Sequence, residues 1–294
     1  MIAGPLLWFP LLAAVLFAMG ALLLKRAAHW QVDTWRTTFV SNLSTAFIFL
    51  PLLAFGGTIP GWHALYQPLI IGGLFVLGQI TAIIALTKGE VSVATPVLGL
   101  KIVMVAIFSW LITGRPLPPD LWMAAVIATA GVMLLNVGAK GQNRGSVTLS
   151  VVAALISAMS FSLFDVCVQI WSPVWGLGRL LPIAFMFGGL ISLPFAFFFK
   201  GKLSEIPLPA RGWLAGGCLL IALQSMAIVC TVAIWGHAAV ANVFYSTRGL
   251  WGVLLAWGIG PALGVPDGGL RGNIVWFRLA GAALLMAAVT LLII

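Results

Sequence analysis

Two basic residues stand in the middle of long apolar stretches of this sequence. Lys101 lies near the centre of the run from about 92 to 113, and Arg248 has the same place in the run from about 238 to 257. A charge at the centre of a bilayer costs about 2.5–3.5 kcal/mol even on the mildest insertion scale. A buried cation without a counter-charge is expensive, and a bound anion would supply one. The two side chains are therefore candidates for an anion-binding clamp.

Polar residues of neighbouring stretches could complete this site. Asn242, Tyr245 and Arg248 are spaced i, i+3, i+6, so they drift around one side of a helix. Gln79 and Gln224 hold corresponding places in two other apolar runs, where they would either contact the ligand or form hydrogen bonds between helices. The predicted substrate-binding residues are Lys101, Arg248, Tyr245, Asn242, Gln79 and Gln224.

Three titratable residues are candidates for coupling or gating. Asp165 is the only acidic residue inside an apolar run, where it would bind protons or, as we favour, pair with a basic residue at a helix end. Glu90 and His237 come just before the runs that hold the two cations, so they are either gates or ordinary solvated turn residues. His29 and His63 have no companion ligands, so neither a metal site nor a cofactor is predicted.

The composition predicts a polytopic α-helical membrane protein. Of the 294 residues, 62% are hydrophobic and only 7% are charged, whereas soluble domains carry about 25% charged residues. The net charge of +9 is spread singly between apolar runs, which favours loop charges that set topology over nucleic-acid binding. The sequence has neither a phosphate-binding glycine loop nor a catalytic Ser, His and Asp grouping, so no enzyme is predicted.

The apolar runs predict ten transmembrane helices of about 20 residues each, the length that crosses a bilayer. We number them as spans 1 to 10. They run from about 6 to 24, 37 to 55, 68 to 87, 92 to 113, 121 to 137, 149 to 170, 180 to 199, 213 to 235, 238 to 257 and 274 to 294.

The two halves of the sequence correspond to each other in order. The longest series of matches keeps one constant offset of 147: Gly89, Ala94, Lys101 and Trp110 match Gly236, Ala241, Arg248 and Trp257. Shorter matches relate Ala18 to Ala158 and Arg36 to Arg179. Because five is an odd number of spans, the second repeat must be inverted. We predict a first repeat at 1–140 and a second, inverted repeat at 146–294, the plan of secondary transporters.

Two five-helix repeats in a chain of this length, with a short glycine turn before spans 4 and 9, resemble the EamA-like branch of the drug/metabolite transporter superfamily. In anion-carrying relatives, basic residues on spans 4 and 9 hold the phosphate of the substrate, and Lys101 and Arg248 stand on those spans. The resemblance thus implies a secondary transporter of a small phosphate- or carboxylate-bearing metabolite that works by alternating access. Because no carboxylate is placed at the midplane, exchange is favoured over proton symport. The alternatives are an exporter of amino acids or other neutral or zwitterionic metabolites, and a protein that handles lipid headgroups.

Loop charges predict the orientation in the inner membrane. The sequence has 15 Lys and Arg. Eleven lie in or beside the loops that follow odd-numbered spans, and two, Arg115 and Arg179, lie in or beside the loops that follow even-numbered spans. The other two are Lys101 and Arg248. The positive-inside rule then places both termini outside the cell, whereas the family resemblance implies cytoplasmic termini. The expected partners are the small anionic metabolite and the lipid bilayer, with no nucleic acid and no prediction of oligomeric state.

Overall fold

The computed structural model describes residues 4–88, 91–136, 146–263 and 274–293, and every regular element in them is a helix. Eight of the described helical stretches, 18 to 29 residues long, are apolar enough to cross a bilayer. The prediction of an all-α polytopic membrane protein is confirmed. The α-helices are α1 (Gly4–Ala28), α2 (Thr34–Phe49), α3 (Tyr66–Thr87), α4 (Val91–Gly99), α5 (Lys101–Thr113), α6 (Pro119–Leu135), α7 (Val147–Trp175), α8 (Leu177–Ile191), α9 (Leu208–Trp235), α10 (Ala238–Tyr245), α11 (Arg248–Gly258) and α12 (Ile274–Ile293).

Spans 4 and 9 were predicted as continuous helices, but each is broken in two. The first half of span 4 ends at Gly99 and the second begins at Lys101. The first half of span 9 ends at Tyr245 and the second begins at Arg248. Each central cation is therefore the first residue after the interruption, where the backbone keeps helical angles.

The two breaks are built alike. At the first, the N–H of Leu100 donates to the carbonyl oxygen of Val97 at 3.0 Å, and at the second, the N–H of Thr247 donates to Phe244 at 3.2 Å. In both cases the N–H group bonds to the carbonyl oxygen three residues earlier, as in a 3₁₀ turn. The offset of 147 that relates Lys101 to Arg248 also relates these two bonds. At the second break the hydroxyl groups of Ser246 and Thr247 also donate to carbonyl oxygens three residues back, at 2.6 and 2.8 Å. Such side-chain bonds compete with the helical ladder and bend it.

The helix packing has an internal pseudo-symmetry. If each span of the first half is exchanged with its counterpart in the second half (1 with 6, 2 with 7, and so on), the main pairs of spans in contact stay the same. Helix α1 packs on α9 and on α11, and its counterpart α7 packs on α3 and on α4 with α5. The counterparts α2 and α8 pack on each other, as do α6 and α12. Gly131 and Gly281 allow the last contact, since a Cβ atom on either would lie 2.7–2.9 Å from the carbonyl oxygen of the other.

Individual contacts between α2 and α8 follow the same exchange. The rings of Phe49 and Phe185 lie 4.0 Å apart between centroids, and the amide of Asn42 donates to the hydroxyl of Ser192 at 2.7 Å. The offset of 143 that relates Arg36 to Arg179 also relates Asn42 to Phe185 and Phe49 to Ser192. An apolar contact and a polar contact thus occupy equivalent places. This packing agrees with two inverted repeats, and the boundaries at 140 and 146 stay a prediction, since residues 137–145 lie outside the described part of the chain.

One of the charges used to predict orientation has a structural role. The carboxylate of Asp33 accepts hydrogen bonds from the backbone N–H groups of Trp35 and Arg36 and forms an ion pair with the Arg36 guanidinium. Burial would raise the pKa of Asp33, but the bonds and charge of Arg36, with a further bond from the N–H of Lys200, outweigh it and hold the pKa below its usual value. Arg36 also donates to the carbonyl oxygen of Lys202, which ties the loop after span 1 to the loop after span 7.

Candidate substrate site

A buried ion pair lies where α5, α7 and α10 meet. The ammonium nitrogen Nζ of Lys101 is 2.9 Å from Oδ2 of Asp165, and the amide nitrogen of Asn242 donates to the same oxygen at 2.8 Å. Asp165 is 4% exposed and Asn242 is 2% exposed, so both are shielded from solvent. The same Asn242 amide donates to the carbonyl oxygen of Ala238 at 2.9 Å, which fixes its orientation on α10.

Helix α7 positions Lys101 with two further residues. The hydroxyl of Ser162 donates to the carbonyl oxygen of Ala158 at 2.7 Å and lies 3.1 Å from that of Lys101, and the ammonium group lies 5.8 Å from the ring centroid of Phe161. Phe161, Ser162 and Asp165 follow one another within a little more than one turn of α7. The start of α5 is therefore held by one face of α7.

The second cation is held by aromatic rings. The guanidinium of Arg248 lies 4.5 Å from the ring centroid of Tyr245 and 4.9 Å from that of Phe17 on α1. The hydroxyl of Tyr245 donates to Oε1 of Gln224 on α9 at 2.7 Å, and the amide of Gln224 donates to Ser225. Cation–π contacts stabilise a charge without neutralising it.

The two cations are unequal in charge balance. Asp165 neutralises Lys101, whereas no carboxylate among the described residues lies within 4 Å of the half-buried Arg248. The charge of Arg248 acts repulsively on Lys101, so the two belong to one electrostatic cluster. The cluster of Lys101, Asp165 and Arg248 carries a net charge of one plus. No carboxylate was predicted at the midplane, and Asp165 beside Lys101 corrects that prediction.

The structure also moves Asp165 relative to its predicted place. The sequence put this residue toward the end of a helix from about 149 to 170, with a basic partner at that end. Helix α7 instead continues through Pro173 to Trp175, so Asp165 lies well inside it. A carboxylate at this depth pairs with the central cation Lys101.

The other predicted residues divide into those that join this cluster and those that do not. Asn242, Tyr245 and Gln224 join it through the hydrogen bonds given above. Gln79 does not: its Oε1 atom is buried without a hydrogen-bond partner among the described residues. His237 is the residue just before α10 and makes no side-chain capping hydrogen bond, and Glu90 lies outside the described residues, so the gating roles of both stay predictions.

A cavity of about 640 Å³ opens at the membrane face where α5, α9 and α12 end. His237 lines it, but neither Lys101 nor Arg248 does. At its floor, Gln169 of α7 donates to the hydroxyl of Ser109 at 3.4 Å and accepts from the N–H of Ala238 at 2.9 Å. Asp165 is one turn along α7 from Gln169, which lines the cavity.

The symmetry of the packing is broken at the charged cluster. The offset of 140 that relates Ala18 to Ala158 relates Lys25 to Asp165. Lys25 is exposed near the end of α1, so the first repeat offers no carboxylate equivalent to Asp165. Only one of two matching cations is therefore neutralised.

Sequence reasoning missed three residues that shape the site: Phe17 and Phe161, whose rings lie beside the two cations, and Ser162, whose hydroxyl lies near the carbonyl oxygen of Lys101. The aromatic residues gave no signal, because a ring over a cation is more often ordinary packing. The hydrogen bonds of Gln169 to α5 and α10 depend on how the spans cross. In the part of the chain that the structure describes, no three His, Cys, Asp or Glu side chains converge as metal ligands.

Comparisons with known proteins agree with this architecture. The model of the EamA-like transporter family matches residues 4–137, a stretch that contains the first five spans. A solved structure, described only as a crystal structure of a protein, has the same fold, with a TM-score of 0.74 at 17% identity over 98% of this chain and 96% of that chain. No curated protein gives a significant match. Residues 4–137 are thus similar in sequence to the EamA-like transporter family, and the likeness of fold to the solved structure extends over nearly the whole chain.

Proposed function

We propose that this protein is a secondary transporter of a small anionic metabolite with a phosphate or carboxylate group, which binds at the cluster of Lys101, Asp165 and Arg248 and crosses by alternating access. The observation that carries the proposal is the charge of Arg248, which is half-buried in an apolar protein and lacks a carboxylate partner among the described residues. A substrate anion would supply the missing counter-charge.

The surroundings of Arg248 suit an anion. A guanidinium can bind a phosphate or carboxylate through two parallel hydrogen bonds. Arg248 is also the first residue of α11, just after the interruption in the middle of span 9. Tyr245 and Gln224 are already hydrogen-bonded to each other beside it, and they offer polar contacts to the rest of a substrate.

The alternative substrates are less well supported. A carboxylate is the strongest partner for the ammonium group of an amino acid, and Asp165, the only buried carboxylate among the described residues, is already bound by Lys101 and Asn242. A lipid headgroup would need an opening toward the bilayer at the cations. A second crevice of about 250 Å³ lies between α6, α11 and α12, but neither Lys101 nor Arg248 lines it.

A thermal-shift screen of the purified protein tests the proposal. The panel contains sulfate, inorganic phosphate, sugar phosphates and carboxylates in one arm, and amino acids and glycerophosphocholine in the other. A ligand at one hundred times its Kd stabilises the folded state by about 2.7 kcal/mol. We expect stabilisation only in the first arm, with weak binding of sulfate and phosphate as minimal oxyanions. Stabilisation confined to the second arm, or to neither, would contradict an anion carrier.

For the orientation, we propose a multi-pass protein of the inner membrane with both termini outside. The support is the asymmetry of eleven against two loop cations. A C-terminal alkaline phosphatase fusion, which is active only outside the cytoplasm, should be active, and a C-terminal green fluorescent protein fusion should be dark. The reverse pair of results would give the cytoplasmic termini that the family resemblance implies.

A further inference from the structure

We propose that Asp165 is the proton-binding residue of the transport cycle, so that a proton and a dianionic substrate bind to the site together. Protonation of the Asp165 carboxylate neutralises it and releases Lys101, which then binds the anion jointly with Arg248. This inference rests on the proposed function and adds to it the coupling ion and the charge of the substrate.

The charge of the cluster carries the argument. When Asp165 is ionised, the net charge of Lys101, Asp165 and Arg248 is +1. When Asp165 is protonated, the net charge is +2. A dianion, such as a phosphate monoester, therefore forms a neutral buried complex only after one proton is taken up. If Asp165 kept its charge, the dianion would face a carboxylate 2.9 Å from Lys101 Nζ and leave a buried net charge, which is expensive.

The geometry allows this change without rebuilding the site. Lys101 and Asn242 share one carboxylate oxygen, Oδ2, and Asn242 is held independently by the carbonyl oxygen of Ala238. Loss of the ion pair frees the flexible Lys101 side chain, while Asn242 keeps its place. The sequence had favoured exchange because no carboxylate was expected at the midplane, and Asp165 beside Lys101 removes that reason.

Among the described residues, no other titratable group takes the place of Asp165. The charged or titratable groups that face it are Lys101 from α5, Tyr245 from α10 and Arg248 at the start of α11. Helix α4 has no titratable side chain. The remaining titratable residues on helices packed against α7 are Tyr66 on α3, Arg179 on α8, and Arg211, Cys218 and Cys230 on α9, none of which is ion-paired or hydrogen-bonded to Asp165.

The test measures sulfate affinity against pH for the wild type, Asp165→Asn and Glu205→Gln. Sulfate is a dianion that neither gains nor loses protons near neutral pH, so any pH dependence belongs to the protein. In the wild type we expect the affinity to rise as the pH falls, by up to about tenfold per unit when one proton is coupled. Asp165→Asn, which mimics the protonated carboxyl, should bind sulfate more tightly than the wild type at neutral pH and with no pH dependence. Glu205→Gln removes an exposed loop carboxylate and should keep the wild-type slope.

The outcomes separate this inference from the proposed function. Sulfate binding that is independent of pH in the wild type, or an Asp165→Asn variant with the wild-type slope, would overturn the proton role and leave an anion carrier. If Asp165→Asn does not fold, the wild-type slope decides, together with proton uptake measured by a pH dye when sulfate is added. Absence of binding by sulfate and by every other anion of the screen would overturn both proposals; if only a sugar phosphate binds, its affinity and the proton uptake on its binding are measured against pH above 7 in place of those of sulfate.

Discussion

The variant Arg248→Met is expected to lose binding and transport of the anion while melting at the wild-type temperature or higher. Charge-assisted hydrogen bonds contribute about 1.5–3 kcal/mol each, so each bond lost weakens binding by about ten- to a hundredfold. In the empty protein the substitution removes a charge that no described carboxylate neutralises, which relieves a desolvation cost. Methionine loses the cation–π contacts with Phe17 and Tyr245 but still packs well against aromatic rings.

Uptake into proteoliposomes and the melting temperature of each variant check this expectation. Arg248→Lys is the matched control: it keeps the charge and loses the planar fork, so it should retain partial activity and normal stability. If Arg248→Met unfolds or expresses poorly while the remaining folded protein transports normally, Arg248 is a structural residue and the anion-carrier proposal is wrong.

The variant Lys101→Met is expected to destabilise the protein, in contrast to Arg248→Met. Removing one partner of a buried ion pair costs about 3–5 kcal/mol, because the other charge is left without compensation. Here Asp165, 4% exposed, would keep only the hydrogen bond from Asn242. A central cation with no carboxylate nearby would give a methionine variant at least as stable as the wild type, and the carboxylate beside Lys101 gives the opposite expectation for this variant.

The double variant Lys101→Met, Asp165→Asn distinguishes a lost ion pair from a lost packing contact. Neutralising Asp165 as well should recover most of the stability, since the buried charge is then gone. The melting temperatures of the two single variants and the double variant form a cycle whose coupling term measures the pair. A double variant no more stable than Lys101→Met, or a Lys101→Met as stable as Arg248→Met, would contradict a neutralising role for Asp165.

The spans could be predicted from the sequence because the bilayer fixes the length of an apolar helix. The identity of the ion-pair partner of Lys101 could not be predicted in this way. Asp165 lies in another span, and whether the two side chains meet depends on the crossing of α5 and α7, which hydropathy does not describe. The contacts of Phe17 with Arg248, between α1 and α11, escaped prediction for the same reason.

The helix breaks show a second limit of sequence reasoning. The mean hydropathy of a sequence window depends on how many apolar residues it contains and not on its backbone hydrogen bonds. Spans 4 and 9 were therefore predicted without a break. The local signals were small: the hydroxyl groups of Ser246 and Thr247 at one break, and Gly99 with Leu100 at the other. The matching offset of Lys101 and Arg248 did predict equivalent positions, and the breaks fall at those positions.

The single carboxylate of the cluster has a consequence for how such a chain could arise. In an antiparallel homodimer of one five-span chain, every residue is present twice, so a carboxylate beside one central cation would stand beside the other as well. A duplicated and fused gene removes this restriction, because each half can change alone. With Asp165 in one half and Lys25 at the matching position of the other, this chain holds a charge arrangement that no symmetric dimer can reproduce.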